Sequence, residues 1–378
     1  MKRLALFLDG TWNEPGDNTN VWRLRSMVSP RDGSGVEQRV YYDTGVGTHW
    51  YDRLRGGLLG EGLSTNIRQA YQWLVEHYDD DDEIYIFGFS RGAFTARSLA
   101  GMISKCGIVR PGAPIPVLQV LERYERGDAR PIYRLPKSVD TDSNLSLEDR
   151  WMVQYSRRVR ITFIGVWDTV GALGLGVRRS RHENRGEFNA HFTRLSSSFD
   201  HAYHALAIDE HRKPYPPSLW YHYIPEKAPD KTHSPPPTVE QRWFVGAHSN
   251  VGGGYRNDPL AQIPLQWIQQ KAKDVGLGFR TNISLLGDEH LIAPVDSYAE
   301  FLKGAYRLIK FGRRTYRGIG RDREKVTGGW LEPHYETIDE SVFDKWRDDE
   351  TYRPPNLSDW ANRSSIDPRA VVGVTDAR

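Results

Sequence analysis

The chain has 378 residues, with 51 Lys and Arg against 49 Asp and Glu, for a formal net charge of +2. That near balance supplies no global field for nucleic acid or for an anionic membrane. The single cysteine excludes an intrachain disulfide framework and any cysteine-based metal cluster, while 12 Trp, 19 Tyr and 13 Phe provide bulky core material.

The first apolar run, Leu4–Leu8, is too short for a signal peptide and stops at Asp9, so it reads as a first strand. No stretch reaches the uninterrupted apolar length of a transmembrane helix, which predicts a cytoplasmic protein and leaves signal-less secretion open. Ser64–His77 reads as a helix. Ile84–Phe87 is a second buried strand ending in Gly88-Phe89-Ser90, and a helix over Ala93–Cys106 follows, with Cys106 as a plain buried thiol. Gly112 to about Trp151 is proline-bearing and charged, and reads as an insertion. A third strand, Val159–Trp167, ends in Asp168-Thr169. Arg178–Arg194 is a basic, glycine-spotted loop with the composition of a flap, Ser198–Ile208 reads as a helix, and Lys227–Pro237 as an exposed connection. A fourth strand, Arg242–Val245, ends in Gly246-Ala247-His248, and Leu260–Val275 is helical. Beyond about Leu277 the pattern weakens.

Near-continuous apolar strands separated by helices predict an α/β fold: a mostly parallel central sheet with helices on both faces. The reading is one α/β-hydrolase-like domain over 1–378, with insertions near 112–151 and 178–194 and a C-terminal extension from about 280. In such sheets ligands gather at the carboxyl ends of the strands, and here those ends carry Asp9, Ser90, Asp168 and His248.

Gly88-Phe89-Ser90-Arg91-Gly92 is a Gly-x-Ser-x-Gly string between a strand and a helix. A nucleophilic serine needs that sharp turn to lift its hydroxyl clear of the sheet, and the free N–H groups at the helix start face a developing oxyanion. Ser90, Asp168 and His248 then fall in the chain order Ser, Asp, His of α/β-hydrolases. The serine would attack a carbonyl, the histidine would carry its proton, and the aspartate would hold the imidazole. The competing readings are a helix-capping Asp168 and a His248 that merely sits beside the Gly252-Gly253-Gly254 turn.

Other residues compete for these roles. Asp209 is an alternative triad acid, and His201, His204 and His211 are alternative histidines. The spacing of His204 and Glu210 does not suit a zinc helix, and no metal site is predicted. Arg212 suits either an anionic substrate group or a structural ion pair. Arg91 offers its backbone N–H as an oxyanion donor, and its guanidinium either meets a phosphate or lies at the surface. Asp9-Gly10-Thr11 suggests haloacid-dehalogenase-type phosphatases, but Phe7 stands where their nucleophilic aspartate would be. In the hydrolase reading the Gly10 and Thr11 N–H groups are candidates for a second oxyanion donor, or Thr11 and Asn13 simply cap the turn.

Taken together, Phe7–Asn13 with Thr19-Asn20-Val21, Gly88–Ala93, Gly165–Val170, His204–Arg212, Gly246–Tyr255 and Val342 to about Leu357 resemble one family. It is the α/β-hydrolase-like domain family that includes type VI secretion lipase effectors with phospholipase activity. The resemblance spans most of the chain and implies Ser90 as nucleophile, Asp168 as acid and His248 as base. Where the family pattern is Ser-Asp-Val, this chain has Ser249-Asn250-Val251, which removes a charge beside the base.

The function expected is hydrolysis of a carboxyl ester, most readily of a lipid or phospholipid, through an acyl intermediate on Ser90, with no metal or organic cofactor. The alternatives are hydrolysis of another acyl or phosphoryl bond in a soluble substrate, and a catalytically inactive hydrolase fold serving as an interaction module. The partners expected are a small-molecule or lipid ester and no nucleic acid. Leu302–Arg323, where Phe301, Tyr306, Phe311 and Tyr316 interleave with basic residues, reads either as a peripheral membrane contact or as an amphipathic element with solvated charges. Leu173–Val177 reads as an apolar lip for an acyl chain or as a loop packed on the sheet.

Overall fold

The computed structural model describes residues 1–10, 17–44, 58–142, 144–170, 198–227, 238–300, 313–320, 323–326 and 328–377. Its strands are β1 (Arg3–Leu8), β2 (Gln38–Asp43), β3 (Glu83–Phe89), β4 (Ile108–Val109), β5 (Ser156–Arg157), β6 (Ile161–Trp167), β7 (Phe199–Ala207), β8 (Tyr221–Pro225), β9 (Thr238–Phe244), β10 (Glu324–Val326), β11 (Gly329–Pro333), β12 (Glu336–Ile338) and β13 (Thr375–Asp376). The helices are α1 (Asn20–Met27), α2 (Leu58–His77), α3 (Ser90–Cys106), α4 (Val117–Glu125), α5 (Leu147–Tyr155), α6 (His248–Gly252), α7 (Gln262–Asp274), α8 (Ser297–Glu300), α9 (Glu340–Asp348) and α10 (Pro355–Ser364).

Eight strands form the central sheet in the order β13-β12-β9-β7-β6-β3-β1-β2. Every pairing in it is parallel except β12 with the edge strand β13. This is the α/β-hydrolase-like, mostly parallel arrangement that the apolar runs predict. The chain runs outward from β1 in one direction to β2 and in the other to β3. The ends of β1 and β3 therefore flank a switch point, where a doubly wound sheet leaves a crevice.

The two faces of the sheet are covered differently because alternate residues of each strand point to opposite sides. Leu4, Leu6, Leu8, Ile84 and Ile86 join α2, α3, α4 and α5 in an aliphatic core. Ala5, Phe7, Tyr85, Phe87, Phe163 and Tyr203 face α1 and α7 in a second core rich in rings. Phe7 stacks on Phe87 with centroids 4.8 Å apart, and Phe87, Phe163 and Tyr203 continue the row at 5.3 and 5.4 Å. A third core of Leu206, Trp243, Ile338, Val342, Phe343, Leu357 and Trp360 seats α9 and α10. The C-terminal residues thus build part of the sheet itself, since β12 pairs with β9 from Glu336↔Gln241 to Ile338↔Trp243.

One predicted element is of the wrong type. Ser198–Ile208, expected as a helix, is the strand β7, bonded on one side to β6 and on the other to β9. Its alanines and leucine favour a helix in isolation, but a central strand with both faces covered gains more from packing and two hydrogen-bonded ladders. The segment 112–151 folds as α4, α5 and short turns on the aliphatic core. The predicted flap at 178–194 and the Leu173–Val177 lip lie outside the described residues, as does most of the connection at 227–237.

Candidate active site

The site begins with a turn that only small residues permit. β3 ends at Phe89 and α3 opens at Ser90, whose φ of +58° is the left-handed conformation a side chain rarely adopts. A Cβ at Gly88 would lie 2.6 Å from the Gly92 carbonyl oxygen, and one at Gly92 would lie 2.1 Å from that of Leu8. The two glycines therefore let α3 press against its own strand and against the end of β1. Ser90 is left at the carboxyl edge of the sheet, 9% exposed.

Asp168 follows β6 with φ +37° and is fully buried. Its backbone N–H donates to Ala205 at 2.7 Å, and the Ala207 N–H donates to its Oδ1 at 3.1 Å. His248 opens α6 just after β9. Asn250 holds that turn: its Oδ1 accepts the Ala247 and Val295 N–H groups at 3.0 Å each, and its amide donates to Asp258 at 3.1 Å. The amide therefore has work on both sides in a place where a carboxylate would confront Asp258. Burial raises the Asp258 pKa to about 6.

These turns bring three side chains into one line. His248 Nε2 is 2.8 Å from Ser90 Oγ, and His248 Nδ1 is 2.5 Å from Asp168 Oδ2. Burial pushes the Asp168 carboxyl up, but the Arg317 charge and the His248 hydrogen bond outweigh it and hold the group well below the usual carboxylate range. Ionised Asp168 can only accept, so Nδ1 carries the imidazole proton and Nε2 presents its lone pair to the Ser90 hydroxyl. Burial lowers the His248 pKa against the opposing pull of Asp168. Phe89 and Tyr215 flank the ring at centroid distances of 4.7 and 5.2 Å.

The remaining candidates fall around this line. Asp209 is turned away from His248: it accepts the Gly246 N–H at 2.7 Å and the Tyr352 hydroxyl at 3.2 Å. Arg212 is tied to buried Glu210 by Nε to Oε1 at 2.8 Å and Nη2 to Oε2 at 2.7 Å, and lies over the Tyr215 ring. Asp9 accepts Thr19 Oγ1 at 2.5 Å, Tyr42 at 3.1 Å and the Gly10 N–H at 2.8 Å. The Gly10 N–H is thus engaged within its own turn, which counts against its reading as an oxyanion donor. Thr11 and Asn13 lie outside the described residues. Arg91 is the second residue of α3.

His201 and His204 stand on β7 rather than on a helix. His204 is fully buried and its Nε2 accepts the Thr169 N–H at 3.1 Å. His211 packs edge-on against Tyr316, and Cys106 is a buried free thiol. Sequence reasoning missed Arg317, whose guanidinium meets both oxygens of Asp168. Its one sequence signal was membership of the basic run assigned above to solvent or headgroups. Most of that run, 301–312 with 321 and 322, lies outside the described residues.

A family model described as "T6SS, Phospholipase effector Tle1-like, catalytic domain" matches residues 2–271. The chain belongs to this family. The Tle1-like segment contains Ser90, Asp168 and His248. An uncharacterized protein of Saccharomyces cerevisiae is 30% identical over 228 residues, which cover 56% of this chain and 31% of that protein. Two solved structures are also similar. An uncharacterized Pseudomonas aeruginosa protein has a TM-score of 0.41 and 18% identity, over 80% of this chain and 55% of that one. The Tle1 effector, solved bound to the VgrG spike of the type VI secretion system, has a TM-score of 0.34 and 17% identity, over 69% and 52%. The chain therefore spans about a third to a half of the length of these relatives. Among the described residues no helix is long and apolar enough to cross a membrane.

Proposed function

We propose that this protein hydrolyses carboxyl esters of lipids or phospholipids through a Ser90 acyl intermediate. The observation that carries the reading is the His248 imidazole bridging Ser90 Oγ at 2.8 Å and Asp168 at 2.5 Å, at the carboxyl edge of the sheet. Membership of a phospholipase effector family supports the choice of a lipid ester.

In this mechanism Ser90 Oγ attacks the ester carbonyl while His248 Nε2 takes the hydroxyl proton. The Arg91 N–H and the positive end of α3 face the oxygen on which charge develops. His248 returns its proton to the leaving alkoxide as the carbon–oxygen bond breaks, and the acyl group remains on Ser90. Water then enters, gives a proton to Nε2 and attacks the acyl carbon, and the proton returns to Ser90 as the acid departs. Asp168 stays ionised throughout and stabilises the imidazolium.

The test uses short-chain p-nitrophenyl esters and defined phospholipid vesicles, with wild type and Ser90→Ala, alongside labelling by a fluorophosphonate. Vesicle hydrolysis lost in the variant is the expected result. Short-ester cleavage without vesicle hydrolysis would replace the lipid substrate with a soluble one. Full activity in Ser90→Ala would sink the mechanism.

A further inference from the structure

Arg317 reaches the site from beyond the matched catalytic segment, which ends at residue 271. Its side chain is only 4% exposed. Nη1 donates to Asp168 Oδ1 at 2.6 Å and to the Ala207 carbonyl at 3.0 Å. Nη2 donates to Asp168 Oδ2 at 3.0 Å and to the Tyr215 carbonyl at 2.7 Å. Two donations from one planar fork hold the carboxylate in plane and two more anchor the fork to backbone carbonyls, which a lysine point charge or an apolar side chain would not do.

The placement also has an electrostatic consequence. A buried carboxylate beside an imidazole favours the imidazolium and raises its pKa. A cation shared by both oxygens of that carboxylate weakens the pull. A group there only to fill space would need neither the charge nor the two-pronged geometry. We infer that Arg317 is a positioning residue for the reaction, aligning Asp168 with His248 Nδ1 and offsetting the charge of that carboxylate.

The inference rests on the serine-hydrolase reading for its functional meaning, though its electrostatic content is separate. Other groups face His248 as well. Ser90 comes from α3, Asp168 from the end of β6, and Glu210, Arg212 and Tyr215 from the segment after β7. The Glu210 carboxylate accepts the His248 backbone N–H at 3.4 Å and is paired with Arg212, and the two charges act on the ring with opposite sign. Neutral His204 lies behind Asp168. Arg317 is the cation in direct contact with the acid.

The experiment follows the His248 imidazole by NMR in histidine-labelled full-length protein, with its resonance assigned by loss in His248→Gln. Wild type, Arg317→Met and Arg317→Lys are titrated. In wild type the midpoint should lie below the ordinary value of about 6.5 despite the aspartate contact; a midpoint at or above it overturns the inference without any Arg317 variant. In folded Arg317→Met the midpoint should rise by about one unit, carrying the acid limb of kcat/KM with it, and Arg317→Lys should recover most of the shift. A folded Arg317→Met whose midpoint stays within about 0.2 units of wild type also overturns it. Failure of the hydrolase reading looks different: Ser90 in wild type would not react with fluorophosphonate, while the His248 shift would persist.

Discussion

His204 Nε2 accepts the Thr169 N–H at 3.1 Å, one residue beyond Asp168, so β7 fixes the backbone on which Asp168 is presented. That backbone needs fixing because Asp168 sits at φ +37°, a conformation that costs an L-residue roughly 1–2 kcal/mol. Burial, helped by the Arg97 charge, pushes the His204 pKa down to about 3, so the ring is a neutral acceptor at every ordinary pH. His204→Phe keeps a ring in the space but leaves the Thr169 N–H buried without its acceptor. We expect a loss of about 1–3 kcal/mol in urea unfolding, together with a lower kcat. Unchanged stability and turnover would show that the turn is held by other means.

The elbow makes a sharper prediction. Around Gly92 the obstacles are backbone atoms, the Leu8 oxygen at 2.1 Å and the Asp9 oxygen at 2.4 Å from a built Cβ, and no side chain can swing aside. Gly92→Ala must push α3 off the end of β1, at a cost of about 3 kcal/mol, and misplace Ser90. The expected result is loss of fluorophosphonate labelling with a lowered melting temperature. Gly33→Ala, with nothing within 4 Å, is the control and should stay within about 0.5 kcal/mol of wild type.

The line Ser90, Asp168, His248 was legible because each residue ends or follows an apolar run that can only be a buried strand. β7 was not, since Ala202, Ala205, Leu206 and Ala207 suit a helix equally well until β6 and β9 bond to either side. Asp209 remained an alternative to Asp168 as the triad acid in sequence, and the structure places both just past strand ends. Their separation comes from three dimensions: one carboxylate turns to His248, the other to the Gly246 N–H and Tyr352. Arg317 was least legible, because its partner lies 149 positions away and nothing local marks a buried arginine.

That separation predicts opposite outcomes for the two isosteric amides. Asp168→Asn no longer fixes the tautomer or stabilises the imidazolium, and should lower kcat about 10³–10⁴-fold. Asp209→Asn leaves the His248 contacts intact and should keep turnover within about threefold of wild type, a change below ~1 kcal/mol in the barrier. Steady-state kinetics on one soluble ester decides the matter. The reverse ranking would make Asp209 the triad acid.

Asp209 also predicts a pH dependence of stability. Burial raises its pKa from 3.8 to about 6, against the opposing Gly246 and Tyr352 hydrogen bonds. Between those values the folded state holds a proton that the unfolded chain has released, so stability falls as pH rises through this window and is level above it. A shift of roughly two units corresponds to about 3 kcal/mol. Asp209→Asn keeps an oxygen for the Gly246 N–H and an amide for the Tyr352 oxygen, but carries no charge to bury. The variant should match wild type near pH 3.5 and exceed it by about 2–3 kcal/mol near pH 8, measured by urea unfolding across the range. A difference that stays constant with pH would mean that Asp209 ionises in the fold at no cost, with its charge offset by a partner other than Tyr352.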